Sequence, residues 1–139
     1  MVVSEKASRV PGTSAKLAYG DTCSLYEMLY ALMLPSGNDA AHALAEWGGK
    51  AIRKNCSILR KLRPPECEGE EEKSSKKGKK EEKSYLRLFM HHMNKAAKQM
   101  HLNATHYANP HGLSNEKAHS TAKDTALLTH WALLNPTFR

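Results

Sequence analysis

The sequence predicts a mainly α-helical protein, and three observations lead to that prediction. Hydrophobic residues make up 40% of the 139 residues, enough to build one core, while aromatic residues make up only 6%. Ala, Leu and Met supply most of the apolar volume, a mixture that favours packed helices over sheets. Apolar residues also recur at helical spacing in several segments. We therefore expect residues 1–139 to form one domain built mainly of helices.

The first helix is predicted between Ser24 and Pro35. Ser24 followed three residues later by Glu27 is a capping-box pattern, which marks the start of a helix. Apolar residues then repeat on one face as far as Pro35, and proline cannot continue a helix. The pattern therefore predicts a helix of moderate length.

A pinch at Pro35-Ser36-Gly37-Asn38 separates this helix from the next. In the local interpretation Gly37 permits the bend and Asn38 caps the second helix, so the segment would be only a well-formed turn. Small residues then follow helical spacing as far as Gly48-Gly49. Because glycine is common just after helix ends, this pair is expected to stop the second helix.

The composition changes between residues 50 and 83. Residues 50–63, from Lys50 to Arg63, contain basic residues and no acid. This pattern fits either a basic amphipathic helix that lies on a partner or a membrane, or a helix whose charged face is only solvated. Residues 66–83 are mostly Glu and Lys and are expected to form a disordered loop. The domain is therefore predicted to be interrupted at about 50–83.

Two further helices are predicted in the C-terminal part of the chain. A long apolar stripe with helical spacing begins after Ser84 and reaches Met100. The next residues are rich in Asn, His, Pro and Gly, which indicates a long structured loop. Thr121 with Asp124 then repeats the capping-box pattern before a last helix, which Asn135-Pro136 closes.

The bulk charge of +7 predicts a surface that attracts nucleic acid, acidic lipid or an acidic protein face. Nucleic acid is the least favoured partner, since no recognised nucleic-acid motif accompanies the charge. The three cysteines are odd in number and widely spaced, which suits a reducing compartment. No apolar run is long enough for a signal peptide or a membrane span, so the sequence as given predicts a cytoplasmic protein.

No metal or other cofactor is expected, although the chain has 8 histidines. His101, His106 and His111 recur at five-residue spacing, which places them on no common helical face. The spacing also matches none of the usual zinc patterns. The histidines therefore give no basis for a metal centre.

Nucleophilic catalysis can use Ser-x-x-Lys on a helix, where one turn brings a neutral lysine amine against the hydroxyl. Ser74 with Lys77 matches this spacing, but it lies in the charged run, where nothing would desolvate the lysine. Ser120 with Lys123 also matches, at a helix start where capping is the simpler explanation. We reject the Ser74 match as a catalytic element and favour capping over catalysis at Ser120.

Three segments, residues 3–46, 89–113 and 119–128, together resemble the central portion of serine-type D-alanyl-D-alanine carboxypeptidases. They carry "PSGNDAAHALAE", "NPHGL" and "STAKD" in that order. These enzymes are the low-molecular-weight penicillin-binding proteins, related in fold to β-lactamases. The resemblance implies the helical lobe of the β-lactamase/D,D-peptidase-like α/β fold with most of the sheet missing. It also implies a single partial domain over 1–139, interrupted at about 50–83.

The resemblance gives the pinch a functional interpretation, because Ser36-Gly37-Asn38 falls on the second of the family's three active-site elements. It implies that Ser36 takes part in proton relay between the catalytic lysine and the leaving amine. It implies that Asn38 hydrogen-bonds the amide of the substrate and helps to position the lysine. Asn109 to Leu113 resembles a family loop that we interpret as mainly structural, and Asp124 matches an acidic position in the following helix.

Two family elements are absent from this sequence. The nucleophile-bearing Ser-x-x-Lys precedes the region that resembles residues 3–20, and neither Lys-Thr-Gly nor Lys-Ser-Gly occurs anywhere in the chain. We therefore expect the chain alone to be inactive as a peptidase. The alternative is a non-catalytic structural or interaction subunit, which would use a bare helical face and residues 50–63 to join a larger assembly. Complete family members lie outside the cytoplasm and act on peptidoglycan.

Overall fold

The computed structural model describes residues 1–61 and 79–138, with side chains for residues 1–55 and 85–138. A short 3-10 helix, Ala7–Arg9, comes first in the chain. The four α-helices are α1 (Leu25–Met33), α2 (Asn38–Lys61), α3 (Lys79–Gln99) and α4 (Ala122–Leu133). Over the described ranges the backbone forms no strand, only isolated antiparallel bridges between Val2 and Thr22 and between His106 and His119. The prediction of a mainly α protein is confirmed.

The capping box predicted for α1 is present. The hydroxyl of Ser24 accepts a hydrogen bond from the backbone N–H of Glu27, and the Glu27 carboxylate accepts one from the backbone N–H of Ser24 at 2.7 Å. The hydrogen bond from the backbone N–H of Ser24, followed by one from the Ser24 side chain to the same carboxylate, lowers the pKa of Glu27. The helix ends at Met33, shortly before Pro35, as the sequence predicts.

Helix α2 is longer than predicted, because it continues through Gly48-Gly49 instead of ending there. The glycines serve close approach to α3. A Cβ atom built on Gly49 would lie 2.0 Å from the backbone oxygen of Tyr85, and one on Gly48 would lie 2.8 Å from the ring of Phe89. The prediction that the helix stops here was wrong. These glycines allow α3 to pack closely against α2 and do not end the helix.

The basic stretch that begins at Lys50 continues the same helix as far as Lys61, so it is not a separate element. Lys50 Nζ lies 5.7 Å and Arg53 Cζ 5.5 Å from the ring centre of Tyr85 on α3, within the range of cation–π attraction. The predicted disordered loop over 66–83 falls outside the described residues up to position 78. From Lys79 the backbone is helical, so α3 begins before Ser84.

The core lies where the N-terminal segment meets α1 and α2. Its buried members come from all three parts of the chain: Val3, Ala7, Met28, Ala40 and Ala43. The N-terminal segment is closed by main-chain pairing, with the N–H of Val3 donating to Asp21 and the N–H of Gly20 donating to Val3. Helix α2 contacts the 3-10 helix, α1 and α3, and is therefore the central element.

Helix α4 begins at the predicted cap. The Thr121 hydroxyl accepts a hydrogen bond from the backbone N–H of Asp124 at 3.2 Å, but the Asp124 carboxylate turns to the preceding loop instead of back to Thr121. Only half of the predicted box therefore forms. Within the described part of the chain α4 packs against none of the other helices. No helix in residues 1–61 or 79–138 is long and apolar enough to cross a membrane.

We expect Thr121→Ala to lower the free energy of unfolding by about 1 kcal/mol, because the first turn of α4 loses its side-chain cap. Urea unfolding followed by circular dichroism measures the change. Thr129→Ala is the matched control, since Thr129 lies in the exposed interior of α4 and donates to Thr125 O within the same helix. Equal losses in the two variants would contradict a specific role for the cap.

Candidate functional site

The turn between α1 and α2 carries the candidate motif. Ser36 adopts φ +55°, a left-handed conformation that is uncommon for any residue other than glycine. Gly37 is buried, and a Cβ there would lie 2.6 Å from Ala31 O and 2.8 Å from Asp39 Oδ1. Ser36 therefore makes the left-handed bend that was predicted for Gly37, while Gly37 is required because no side chain fits there.

Asn38 does not cap α2 with its side chain. Its amide nitrogen donates to the carbonyl of Pro11 at 2.8 Å, and its backbone N–H donates to the carbonyl of Thr13 at 2.8 Å. The Thr13 hydroxyl in turn donates to the carbonyl of Ser36. Three hydrogen bonds thus join residues 11–13 to the turn. The prediction of an Asn38 cap was wrong because this side chain serves a long-range contact instead of the local helix end.

Asp39 fixes the next part of the same segment. Its carboxylate is 1% exposed and accepts hydrogen bonds from Ser14 Oγ at 2.7 Å, Ala15 N at 3.0 Å and Leu17 N at 3.1 Å. A fourth bond comes from Ala40 N at 2.9 Å. Burial acts to raise the pKa of Asp39, but these hydrogen bonds outweigh it and hold the pKa below its ordinary value.

An open depression of about 440 Å³ lies beside the turn. Its lining residues come from the N-terminal segment and from the end of α1: Ser14, Ala15, Lys16, Tyr30, Ala31, Leu34 and Pro35. Ser36, which directly follows Pro35, is exposed, whereas Asn38 is 6% exposed. Lys16 also has a left-handed backbone, at φ +59°. The depression therefore has the cationic side chain of Lys16 in its wall, and the exposed Ser36 follows its lining residue Pro35 in the chain.

The loop at residues 109–113 lies next to the same N-terminal segment. Asn109 closes it by donating from Nδ2 to Leu113 O at 2.8 Å and accepting from Gly112 N at 2.7 Å, with Gly112 at φ +76°. A Cβ on Gly12 would meet Leu113 Cδ2 at 3.4 Å and the Asn38 side chain at 2.5 Å. Gly12 therefore lies between the candidate motif and this loop.

Two polar side chains anchor the long loop between α3 and α4. Asn94 on α3 donates to Tyr107 O and accepts from Tyr107 N, both at 2.8 Å. Asp124, 5% exposed, accepts from Ala104 N at 2.8 Å and from Thr105 Oγ1 at 2.7 Å. Burial, together with the negative charge of Asp124, raises the pKa of Tyr107. The acidic position that the resemblance marked at Asp124 is therefore a structural anchor in this chain.

The structure brings Ser36 and Asn38 to one turn and adds Asp39, which the sequence analysis did not select. The Ser-x-x-Lys match at Ser120 gains no catalytic geometry, because the Ser120 hydroxyl lies 2.9 Å from Thr105 Oγ1. A further match at Ser114 and Lys117 was missed by the sequence analysis, and both residues are exposed in the loop. In the described part of the chain no three His, Cys, Asp or Glu side chains form a group that could hold a metal ion.

The sequence of this chain is similar to those of known D-alanyl-D-alanine carboxypeptidases. A sequence profile described as D-alanyl-D-alanine carboxypeptidase matches residues 85–136. The chain is 29% identical to the D-alanyl-D-alanine carboxypeptidase of Streptomyces sp. strain K15 over 99% of its own length and 36% of the relative's. It is 30% identical to DacF of Bacillus subtilis strain 168, also a D-alanyl-D-alanine carboxypeptidase, over 90% of its own length and 23% of the relative's.

The fold agrees with these sequence matches. A solved serine-to-alanine mutant of Streptomyces K15 DD-transpeptidase superimposes with a TM-score of 0.72 at 27% identity, covering 99% of this chain and 44% of that one. The described helices thus form a helical lobe of the α/β fold of D,D-peptidases. The chain is a partial relative of the D-alanyl-D-alanine carboxypeptidases, and it spans less than two-fifths of the length of the curated relatives it matches. The resemblance found in the sequence is confirmed.

Proposed function

We propose that this chain is one part of a serine-type D,D-peptidase domain and carries the second of its active-site elements, Ser36-Gly37-Asn38. The observation that supports the proposal is the position of this tripeptide. It forms the turn between α1 and α2 in a chain whose whole length matches the fold of a DD-transpeptidase. The domain assignment, a single partial domain over 1–139 with an insertion at about 50–83, belongs to the same proposal.

The two polar side chains of the motif take different roles in this proposal. Ser36 is exposed directly after Pro35, which lines the depression, and its hydroxyl can both accept and donate a proton during relay. Asn38 has one amide N–H engaged by Pro11, and its second N–H and its carbonyl provide the groups for a substrate amide. Its burial favours a fixed orientation for that contact.

In a complete domain the reaction would be acyl transfer from the substrate to a serine, followed by hydrolysis and release of a terminal D-alanine. The sequence contains no Lys-Thr-Gly triplet, and among the described residues the Ser-x-x-Lys matches at Ser114 and at Ser120 are exposed. Without the attacking serine no acyl-enzyme forms, and without the third element the substrate carboxylate lacks its cationic partner. We therefore propose that the 139-residue chain has no peptidase activity alone.

A fluorescent penicillin tests this proposal in two steps. We expect no stable covalent labelling of the 139-residue chain. We expect labelling of a chimera in which this chain replaces the matching segment of the Streptomyces K15 enzyme, with Ser36→Ala slowing it by about 100-fold, as loss of a positioned proton-transfer group does. Ser114→Ala, at an exposed loop serine, is the control and should label at the rate of the parent chimera.

Two outcomes would contradict the proposal. Stable labelling of the chain alone would show that it holds a nucleophile and a complete site. Labelling of the folded Ser36→Ala chimera at the parent rate would show that Ser36 has no part in the reaction. Circular dichroism of each chimera establishes that the comparison is made between folded proteins.

A second candidate function, a non-catalytic subunit of a larger assembly, is favoured by the open apolar faces. On α1 and at its C-terminal cap, Tyr26, Tyr30 and Leu34 are 65%, 64% and 79% exposed. Around α4, Trp131 and Leu134 are 46% and 61% exposed. Such patches are typical of surfaces that another chain or domain covers. An acidic partner that also contacts the basic residues 50–63 fits this candidate function, whereas the sequence offers nothing specific for nucleic acid.

The assembly state of the native protein distinguishes the second function from the first. A subunit is expected to sediment as part of a larger complex that becomes smaller when residues 50–83 are deleted. Sedimentation as a monomer, unchanged by the deletion, would contradict that role. Fractionation of the same cells tests the prediction of a cytoplasmic location, which stays a prediction.

A further inference from the structure

His42 lies one helical turn after Asn38 and is largely enclosed. Its side chain is 13% exposed, and its Nε2 lies 3.1 Å from the Glu46 carboxylate one turn further along α2. Its other ring nitrogen, Nδ1, is buried and has no hydrogen-bond partner among the described residues. One ring nitrogen of His42 therefore lies beside the Glu46 carboxylate, and the other is buried without a hydrogen bond to a described residue.

A second imidazole is stacked near the His42 ring. The ring centre of His111 lies 6.4 Å from that of His42, with an angle of 21° between the ring planes. His111 belongs to the loop at residues 109–113, and its Nδ1 accepts a hydrogen bond from the backbone N–H of Leu113 at 3.3 Å. An imidazolium has no acceptor nitrogen, so this bond exists only while His111 is neutral.

The charged groups around the pair can be named element by element. Glu46 on α2 lies beside Nε2 of His42, and His42 in turn faces His111 across the contact. The loop brings His111 itself, and the Pro11-Gly12 segment that meets Leu113 brings no titratable side chain. Burial, followed by the charge of His42, lowers the pKa of His111. Both effects oppose a positive charge on His111.

We propose that His42 and His111 form a proton-sensitive latch that holds the loop at residues 109–113 against Gly12, next to Asn38, and releases it as the medium acidifies. Acid releases the loop because His111 is neutral when the loop is docked. Docking is complete above the ordinary histidine pKa of about 6.5 and is lost as the pH falls below it towards the lowered value. The latch is a property of the folded chain and does not depend on the proposed peptidase function.

Nuclear magnetic resonance of the 139-residue chain tests the latch. Between about pH 7.5 and pH 5.5, the range in which imidazoles titrate, amide exchange of Gly112 and Leu113 is expected to lose protection relative to the intrinsic rate. In His42→Gln the His111 ring should titrate at a higher pH than in the parent, and the amide of Leu113 should lose its protection at that higher pH. His91→Gln, at an exposed histidine of α3, is the control and should behave as the parent.

A second variant keeps the test decisive if His42→Gln fails to fold. In His111→Asn a side-chain oxygen replaces the Nδ1 acceptor but cannot be protonated in this range. The loop should then stay protected throughout the pH series. Protection that falls equally in parent and His111→Asn, or that does not change with pH in the parent, would overturn the latch.

Discussion

Gly49→Ala is expected to lower the free energy of unfolding by about 3 kcal/mol, the upper part of the range for overpacked contacts. The new Cβ would lie 2.0 Å from the carbonyl oxygen of Tyr85, 2.6 Å from its carbonyl carbon and 2.9 Å from its Cα. All three are backbone atoms, so no side-chain rotation relieves the overlap and α2 must move away from α3. The helix propensity gained from alanine, about 1 kcal/mol, offsets only part of that loss.

Gly48→Ala provides the matched control on the same helix. Its Cβ would lie 2.8 and 2.9 Å from the ring carbons Cδ2 and Cε2 of Phe89, which belong to a side chain that can turn. The gain in helix propensity and the cost of repacking are each about 1 kcal/mol, so this variant should unfold close to the parent. Urea unfolding of both variants makes the comparison. A Gly49→Ala protein as stable as Gly48→Ala would show that the two helices do not approach as closely as described.

The glycine pair illustrates what the sequence could predict and where it could not. Ser24 and Glu27 lie within one turn of each other, so their pattern specifies the start of α1 without any tertiary information. The local sequence at Gly48-Gly49 is the same whether the pair ends a helix or lets a neighbouring helix pack closely. Only the position of Tyr85 distinguishes the two cases, and Tyr85 is distant in sequence. Tertiary contact overrode local preference here.

In the candidate site, too, the sequence predicts some of the residues and not others. Ser36 and Asn38 could be selected because the surrounding segments resemble a family, although the tripeptide alone is too short to be specific. Asp39 lies directly beside them but was not selected. Its partners, Ser14, Ala15 and Leu17, lie 22 to 25 residues away along the chain, where no local pattern indicates a contact. The residues that hold the turn in place are therefore found from the structure alone.

Asp39→Ala is expected to lower the free energy of unfolding by about 3 kcal/mol, because hydrogen bonds to a buried charged group contribute about 1.5–3 kcal/mol each and are not additive. The variant leaves the donors of Ser14, Ala15 and Leu17 without their acceptor. The segment beside Ser36 should loosen first, seen as faster amide exchange of Ala15 and Leu17. Asp21→Ala is the control, since that exposed carboxylate accepts one main-chain bond, from Ala18, in a local turn.

Acid should reproduce part of the effect of removing this carboxylate. Because the pKa of Asp39 in the folded chain is lowered, its contribution to stability is complete above the unfolded value of about 3.9 and is lost as the pH falls through the folded value. Asp39→Asn cannot ionise, so the parent's advantage over Asp39→Asn at neutral pH should shrink as the solution becomes more acidic than about pH 4. Urea unfolding across the pH series measures that difference. A constant difference at every pH would show that the shape of the side chain, and not its charge, holds the segment beside Ser36.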